Sequence, residues 1–305
     1  MTHSIYVVVL NCNNYTDTKE CIESIRQSLY PIDRIILVDN GSRDNSIEKL
    51  EENYRQSGKL EIIRNGINEG FARGVNVGIR RALDDGAEYI LLVNNDAIIN
   101  MECVTKLCKI AERSDDVGIV GPRIFYFTDN ERIWQGGGYF SKLKSGIISP
   151  EKNRLARQCA DVKEREVAFL SGCVMLVRRM VFERIGLFNE DLFIYEEDVE
   201  FCLRARTAGF RISYVPSARA WHKINNIVKD RTSSFVLYHL ARSHLIMLRK
   251  SFPPWYFLYG FVVHLLVYTP YRMWQILQGS RSLNAALSWL KGTIDGLLYR
   301  EFNFK

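Results

Sequence analysis

The sequence predicts an α/β protein whose doubly wound, mostly parallel β-sheet is flanked by helices. Short apolar runs rich in Val and Ile alternate with segments of helical periodicity through the first half of the chain. Such a strand–helix series forms a parallel sheet that is covered on both faces. Each apolar run also ends in a cluster of polar residues, and ligands bind at the carboxyl ends of strands in sheets of this class.

The elements of the first half follow one another regularly. Continuous apolar runs predict four strands, at residues 5–10, 34–38, 60–65 and 89–93. Apolar residues at helical spacing predict three helices, over residues 17–29, from about Ile47, and after Gly70. We expect Asp17 and Glu20 to mark the start of the first of these helices.

The second half is less regular. Residues 115–165 lose the periodicity and predict a loop or a small insertion. The pattern then returns and predicts a strand over 167–179, a helix over 196–209 that is ended by Gly209, and a late strand over 211–216.

The C-terminal third differs in charge from the rest of the chain. Residues 1–200 carry 26 Lys and Arg against 32 Asp and Glu, whereas residues 201–305 carry 15 against 3. Residues 251–271 contain no Lys, Arg, Asp or Glu and are rich in aromatic residues. We therefore predict a first domain of residues 1–235 and a helical, aromatic and basic segment of residues 236–305.

This C-terminal segment favours attachment to a membrane interface, because basic and aromatic residues suit that boundary. A helix that spans the membrane and a buried or oligomeric interface are the alternatives. No nucleic-acid-binding motif accompanies the basic charge, so nucleic acid is disfavoured as a partner. The N-terminus predicts a strand and not a signal peptide, and we expect a cytoplasmic protein that is peripheral on the inner face of the membrane.

Several function classes are disfavoured by absent motifs. The seven cysteines are odd in number and form no Cys-x-x-Cys pair, which favours reduced thiols over disulfides or a zinc site. The chain has no G-x-G-x-x-G after its first strand, no G-x-x-x-x-G-K-[ST] and no G-x-S-x-G. A dinucleotide-dependent dehydrogenase, a P-loop NTPase and an α/β-hydrolase are therefore disfavoured.

Four consecutive strand ends are polar, and together they predict a pocket. They read NCNNY, DNGS, NGINEG and NND. Asp39 could accept hydrogen bonds from a nucleobase or ribose, or it could only form a turn into Gly41. Asp96 could bind a divalent cation together with phosphate, with His222 as a second ligand. A turn-forming Asp and a structural His are the alternatives.

Three adjacent acids, Glu196, Glu197 and Asp198, begin the predicted helix over 196–209. Acidic residues at a helix N-terminus gain from the helix dipole, so Asp198 could be a helix cap. Neighbouring acids and burial would also raise the pKa of Asp198 towards the range that a general base needs. Both interpretations remain open at this point.

The motifs resemble those of inverting family 2 glycosyltransferases with the GT-A fold, in the order in which that family has them. The resemblance covers roughly residues 4–250, and the bacterial rhamnosyltransferase-like subgroup of cell-surface polysaccharide assembly is the most similar. It is carried by VVVLNCNNYTDTKECIESI, IILVDNGSRDNS, NEGFARGVNVGI, LLVNNDAII, SGCVMLVRR, LFIYEEDVEFCLRARTAGF and WH.

The resemblance implies a role for each candidate residue. Asp198 would be the catalytic base, and Asp96 with His222 would bind Mg²⁺ or Mn²⁺. Glu197 and Trp221 would orient the acceptor. The residues implied in binding the nucleoside-diphosphate sugar are Asn11, Asn13, Asp39, Asn68, Gly70, Asn94 and Asn95. Asn94 departs from the commonest form of the family's Asp-x-Asp motif, which has Asp at that position.

The resemblance further implies transfer of L-rhamnose from dTDP-rhamnose to a lipid-linked or polysaccharide acceptor. A UDP-sugar donor is an alternative, as is a protein that binds a sugar nucleotide without catalysis. A nucleotidyltransferase would use a similar sheet, but it usually carries a Gly-rich N-terminal loop followed by Lys or Arg, and NCNNYTDTK has none.

Overall fold

The computed structural model describes residues 3–55, 58–224, 233–279 and 282–300. Its centre is one mixed β-sheet. The strands are β1 (Ile5–Asn11), β2 (Arg34–Asp39), β3 (Leu60–Arg64), β4 (Tyr89–Asn94), β5 (Ala97–Ile99), β6 (Val117–Tyr126), β7 (Ile133–Gln135), β10 (Arg165–Glu166), β11 (Val174–Arg178) and β12 (Arg211–His222). Their order across the sheet is β10-β12-β6-β11-β4-β1-β2-β3, and β5 and β7 pair with β12 and β6. A separate hairpin consists of β8 (Tyr139–Ser141) and β9 (Gly146–Ile148).

Helices cover both faces of the sheet, and further helices form a C-terminal group. The helices are α1 (Tyr15–Arg26), α2 (Ser46–Tyr54), α3 (Phe71–Asp84), α4 (Cys103–Ala111), α5 (Arg179–Ile185), α6 (Glu197–Thr207), α7 (Ser234–Ser251), α8 (Pro254–Val263), α9 (Thr269–Gln278) and α10 (Leu283–Leu297). A short π-helical turn, His264–Tyr268, joins α8 to α9.

The first half forms the predicted parallel unit. Strand β1 pairs in parallel with β2 and β4, and β2 pairs in parallel with β3. Two large apolar clusters fill the two faces of the sheet, and the central strands are buried almost throughout. The carboxyl ends of these four strands therefore lie along one edge, where the polar clusters were predicted to meet.

The interpretation of residues 115–165 as a loop or small insertion is only partly correct, because β6 is a ten-residue buried strand within it. Gly118, Gly121 and Pro122 interrupt the apolar run that would have signalled this strand. Pro122 is tolerated because it lies past the residues that pair with β11 and beside a register shift in β12. The rest of the region contains β7, the hairpin and β10.

The later strands differ in their limits from the prediction. Strand β11 begins at Val174 and not at residue 167, because Gly172 and Cys173 form a turn before it. Strand β12 continues past the predicted end at residue 216 as far as His222, with an irregularity between Val215 and Arg219 that accommodates the proline there. His222 is thus the last residue of a strand, and it does not follow one.

The first helix begins earlier than predicted. Its N-cap is Asn14, whose side chain accepts a hydrogen bond from the Asp17 backbone N–H at 3.3 Å. Asp17 lies within the first turn, where its charge complements the free N–H groups. Gly209, by contrast, ends α6 as predicted, with a positive φ of 93° just past the C-cap.

The predicted C-terminal segment is helical. Pro254 begins α8 and Pro270 lies in the first turn of α9, so the prolines divide residues 251–271 into two helices. Among the helices of the described residues, none is both long enough and apolar enough to cross a membrane. Helix α7 packs along α10 and also contacts α6 of the first domain.

Candidate active site

A hydrogen-bonded chain joins the ends of three strands. The Asn11 amide donates to Asp39 Oδ1 at 3.2 Å, which links β1 to β2. The Thr18 hydroxyl donates to Asn11 Oδ1 at 2.7 Å, and the Asn95 amide donates to Thr18 Oγ1 at 2.9 Å. Asn11 and Thr18 are fully buried. This chain fixes the predicted nucleotide side of the site and includes Thr18, which the sequence analysis did not identify.

Asp39 is buried and lies at the centre of a turn. Its carboxylate accepts hydrogen bonds from the Ser42 backbone N–H, at 3.2 Å, and from the Ser42 hydroxyl. Asn13 lies against the same turn, since its backbone N–H donates to Ser42 Oγ at 2.9 Å and its Oδ1 accepts from the Arg43 N–H at 2.7 Å. Asp39 therefore does stabilise the turn, and this role is compatible with a second role in binding a ligand.

The loop before α3 is held by Asn40, another residue that the sequence analysis missed. Its amide donates to Asn68 Oδ1 at 3.1 Å and to the Gly70 carbonyl at 3.0 Å. Gly70 has a φ of 85°, and a Cβ placed on it would lie 2.5 Å from the Phe193 carbonyl oxygen. Only glycine fits there without strain. Asn68 and Gly70 are thus brought to the same edge as Asp39, as predicted.

Asp96 and His222 meet across the sheet. Asp96 follows β4, His222 ends β12, and His222 Nε2 lies 3.0 Å from Asp96 Oδ1. Both side chains are buried, and Trp134 packs edge-on against the imidazole at 4.3 Å. His222 Nδ1 is buried and has no hydrogen-bond partner in the described part of the protein. The pair is predicted from the sequence, although 125 other residues separate its members along the chain.

The Asp96–His222 pair offers one carboxylate and one imidazole. Over the described ranges, no three His, Cys, Asp or Glu side chains converge as a metal site would need. Magnesium and manganese often complete their coordination with water and substrate phosphate, so two protein ligands at a diphosphate site fit such an ion. A salt bridge or hydrogen bond between the two side chains alone is the simpler interpretation.

Asp198 lies in the first turn of α6, but it is not the N-cap, which is Glu196. Its Oδ2 accepts from the Gly172 backbone N–H at 3.0 Å, and its Oδ1 accepts from the Val199 N–H at 2.8 Å. Burial raises the pKa of Asp198 to about 6, and these backbone hydrogen bonds partly oppose the rise. The carboxyl is therefore mostly ionised at neutral pH yet basic enough to accept a proton.

Glu197 is buried next to Asp198. Burial and the neighbouring Asp198 charge raise the pKa of Glu197 well above its ordinary value. One of its oxygens, Oε2, has no hydrogen-bond partner among the described residues. The raised pKa favours the protonated form of Glu197, and in that form the carboxyl can donate a hydrogen bond.

Gly172 and Cys173 bring the two halves of the site together. Gly172 holds the Asp198 carboxylate, and the Cys173 carbonyl accepts from the Asn94 backbone N–H at 2.8 Å. Burial raises the pKa of the Cys173 thiol, and the charges of Asp96, Cys21 and Asp198 raise it further, in that order. The candidate base and the candidate metal ligand thus lie on either side of one short turn.

The remaining candidates are less closely connected to this centre. Asn94 ends β4, and its carbonyl accepts from the Cys21 thiol at 3.4 Å. Trp221 precedes His222 on β12, so the two side chains point to opposite faces of the sheet. The Trp221 ring stacks on Phe125 at 6.2 Å. Its predicted role towards an acceptor stays a prediction.

Comparison with known proteins identifies the family. The profile described as Glycosyl transferase family 2 matches residues 4–186, more than half of the chain. The dTDP-rhamnosyl transferase RfbF of Shigella flexneri is 28% identical over 282 residues, which cover 88% of each protein. The N-acetylglucosaminyl-diphospho-decaprenol L-rhamnosyltransferase of Mycobacterium tuberculosis is 27% identical over 241 residues, 73% of this chain and 76% of that protein.

A solved structure supports the fold. The mannosyltransferase PcManGT of Pyrobaculum calidifontis, in complex with GDP-Man and Mn²⁺, is similar with a TM-score of 0.62 at 16% identity. The match covers 99% of this chain and 89% of that one. The α/β fold is therefore of the GT-A type, with a mixed and mostly parallel sheet. On the family profile and its rhamnosyltransferase relatives, this chain belongs to glycosyl transferase family 2 and is a glycosyltransferase.

Proposed function

We propose that this protein transfers L-rhamnose from dTDP-rhamnose, with inversion, to a hydroxyl of a lipid-linked or polysaccharide acceptor in cell-surface glycan synthesis. The observation that supports the proposal is the turn at Gly172 and Cys173: Gly172 donates to the Asp198 carboxylate, and Cys173 pairs with Asn94, two residues before Asp96. The choice of donor rests on the names of the Shigella flexneri and Mycobacterium tuberculosis relatives. A UDP-sugar is the alternative donor.

Asp198 performs the proton transfer in the proposed mechanism. Its carboxylate accepts the proton of the acceptor hydroxyl as that oxygen attacks the anomeric carbon. The attack comes from the side opposite the diphosphate, whose bond to the sugar breaks with both electrons leaving on the phosphate oxygen. One displacement inverts the anomeric configuration. The Gly172 and Val199 N–H groups hold the carboxylate in place throughout.

Asp96 and His222 would hold a divalent cation, Mg²⁺ or Mn²⁺, in this proposal. When bound there, the ion would supply positive charge to the leaving diphosphate. The mannosyltransferase of Pyrobaculum calidifontis was solved with Mn²⁺ and GDP-Man, which supports the use of a divalent ion in this fold. On the nucleoside side, Asp39 would present its carboxylate to the base or ribose, held in place by the amide of the buried Asn11 and flanked by the Asn40-held loop.

The protein should also bind to the cytoplasmic face of a membrane through its C-terminal helices. The exposed fraction is 71% for Trp255, 63% for Leu258 and 72% for Leu266, and these residues lie on α8 and the π-helical turn that follows it. Large exposed apolar surfaces of this kind mark protein or membrane contacts. The basic charge of the C-terminal third favours an anionic lipid surface.

Co-sedimentation with vesicles tests the membrane proposal. The triple variant Trp255→Ser, Leu258→Ser and Leu266→Ser should lose most of its binding to vesicles that contain anionic lipid. Leu29→Ser is the matched control, because Leu29 is 63% exposed on the first domain. Binding that is equal in the triple variant and the control would contradict the membrane proposal and favour an interface between proteins.

A thermal-shift panel tests the donor. The panel contains dTDP-rhamnose, UDP-glucose, UDP-galactose, UDP-N-acetylglucosamine and GDP-mannose, each with and without Mg²⁺ or Mn²⁺. A donor at a hundred times its Kd should add about 2.7 kcal/mol to the free energy of unfolding, which is a readable shift. We expect the largest shift with dTDP-rhamnose and metal. A shift with a UDP-sugar alone would select the alternative donor, and no shift with any of the five would contradict the proposed binding of these donors.

A further inference from the structure

The loop of residues 189–196 leads directly into α6 and the candidate base. Tyr195 and Glu196 are consecutive residues with positive φ, 68° and 65°. Residues that carry a Cβ rarely adopt this conformation, and it persists only where the surroundings hold it. Two such residues in a row, directly before the turn that carries Asp198, show that something outside α6 fixes this loop.

Helix α7 of the C-terminal segment makes the contacts that fix it. The Arg242 guanidinium donates to the Asp191 carbonyl at 2.7 Å, and the Ser243 hydroxyl donates to the Ile194 carbonyl at 2.8 Å. Ser243 is fully buried. The next residue, His244, lies 3.6 Å from Glu196 through its Nδ1. Three consecutive residues of one helix thus contact the loop along its length.

Phe193 connects the same loop to the nucleotide side of the site. Its ring stacks on His239 of α7 with a centroid distance of 4.9 Å. Its carbonyl accepts from the Phe71 backbone N–H at 2.7 Å, at the start of α3, and its ring fills the space that a Cβ on Gly70 would need. One loop therefore contacts α7 on one side and the Gly70 region on the other.

We propose that α7 is part of the catalytic apparatus, with Arg242 and Ser243 as positioning residues that hold the 189–196 loop. The loop in turn sets the place of Asp198 towards the acceptor and of Gly70 towards the donor. The inference rests on the transferase function proposed above. It assigns to the C-terminal segment a role in turnover that is separate from membrane binding.

Substitutions in the full-length chain test the proposal. Tyr238 supplies a control on the same helix, because it lies one turn before Arg242 and its hydroxyl donates to Asp295 of α10 at 2.8 Å, within the C-terminal segment itself. We expect Arg242→Ala with Ser243→Ala to lower kcat at least tenfold and also to raise the donor KM, because the loop contacts the Gly70 region. Tyr238→Phe should keep kcat within about twofold of the unaltered protein at a similar Tm.

Conservative replacement separates positioning from general stability. Arg242→Lys keeps a donor for the Asp191 carbonyl, so with Ser243 intact it should retain more of kcat than Arg242→Ala does. An equal kcat in the Arg242→Ala, Ser243→Ala variant and in Tyr238→Phe would overturn the proposal.

Amide hydrogen exchange provides a measurement of the loop that does not depend on catalytic activity. Backbone amides of residues 189–198 should exchange at least five times faster in the Arg242→Ala, Ser243→Ala variant than in Tyr238→Phe. Exchange at the same rate in both would overturn the inference. If the unaltered protein transferred no sugar from any donor, the proposed function would fail, whereas the exchange rates would still show whether α7 holds the loop.

Discussion

Replacing Asp198 with Asn separates a catalytic base from a structural carboxylate. Asn has nearly the same shape and can still accept one backbone hydrogen bond from Gly172 or Val199, but it cannot take up a proton. General-base catalysis contributes about 10²–10⁴-fold to the rate, so kcat should fall by that factor. The same substitution should not lower the free energy of unfolding at neutral pH, because it removes a buried charge.

Burial makes the ionised Asp198 costly to the folded state. Its pKa rises from 3.8 to about 6, and this difference corresponds to about 3 kcal/mol. Because the folded chain binds this proton more tightly than the unfolded chain does, the contribution of Asp198 to stability falls as pH rises from 3.8 to about 6. Asn has no such dependence. The variant should therefore be more stable than the unaltered protein at pH 7.5, but by less than this difference, because Asn leaves one of the two backbone N–H groups without its hydrogen bond.

Urea denaturation at pH 7.5 and pH 4, beside initial rates at pH 7.5, measures both effects. We expect the stability difference between the two proteins to narrow at pH 4, where the Asp198 carboxyl is protonated. The rate of the unaltered protein should also decline as pH falls through about 6. An Asn variant that is less stable at pH 7.5 and still turns over would refute the base assignment and favour a structural carboxylate.

Three further predictions concern the nucleotide and metal side. Gly70→Ala should lower the free energy of unfolding by about 1–3 kcal/mol more than Gly86→Ala in urea titrations, because a Cβ at Gly70 meets Phe193 whereas one at Gly86 meets nothing within 4 Å. Equal losses would contradict this. Asp39→Asn should weaken nucleoside-diphosphate binding about tenfold in calorimetry. Asp96→Ala should abolish the stimulation of turnover by Mg²⁺ or Mn²⁺. Retained stimulation would show that the ion binds at another place.

The parallel half of the fold was predictable because its signals are local. Buried parallel strands give unbroken apolar runs, and residues 5–94 contain four of them with helices between. Strand β6 was missed because glycine and proline break its run, and pairing with β11 and β12 compensates for them. The continuation of β12 past residue 216 depends on the same kind of non-local pairing.

Some residues of the candidate site were likewise predictable from the sequence, and others were not. The polar strand ends could be placed together because parallel strands end at one edge. Asn40 and Thr18 could have been found from their position beside Asp39 and after the first strand, but nothing in the residues distinguishes an amide or hydroxyl that supports a loop from one on the surface. The contacts of α7 with the 189–196 loop join residues about fifty apart and leave no local pattern.

The most direct test of the central claim is the anomeric configuration of the product. Unaltered protein, dTDP-rhamnose, divalent metal and an acceptor would be followed by proton NMR, with Asp198→Asn as the control. We predict release of dTDP together with a glycoside whose anomeric configuration is opposite to that of the donor, formed at least about a hundredfold more slowly by the variant. A product that retains the donor configuration, or one formed equally fast without the Asp198 carboxylate, would contradict the mechanism.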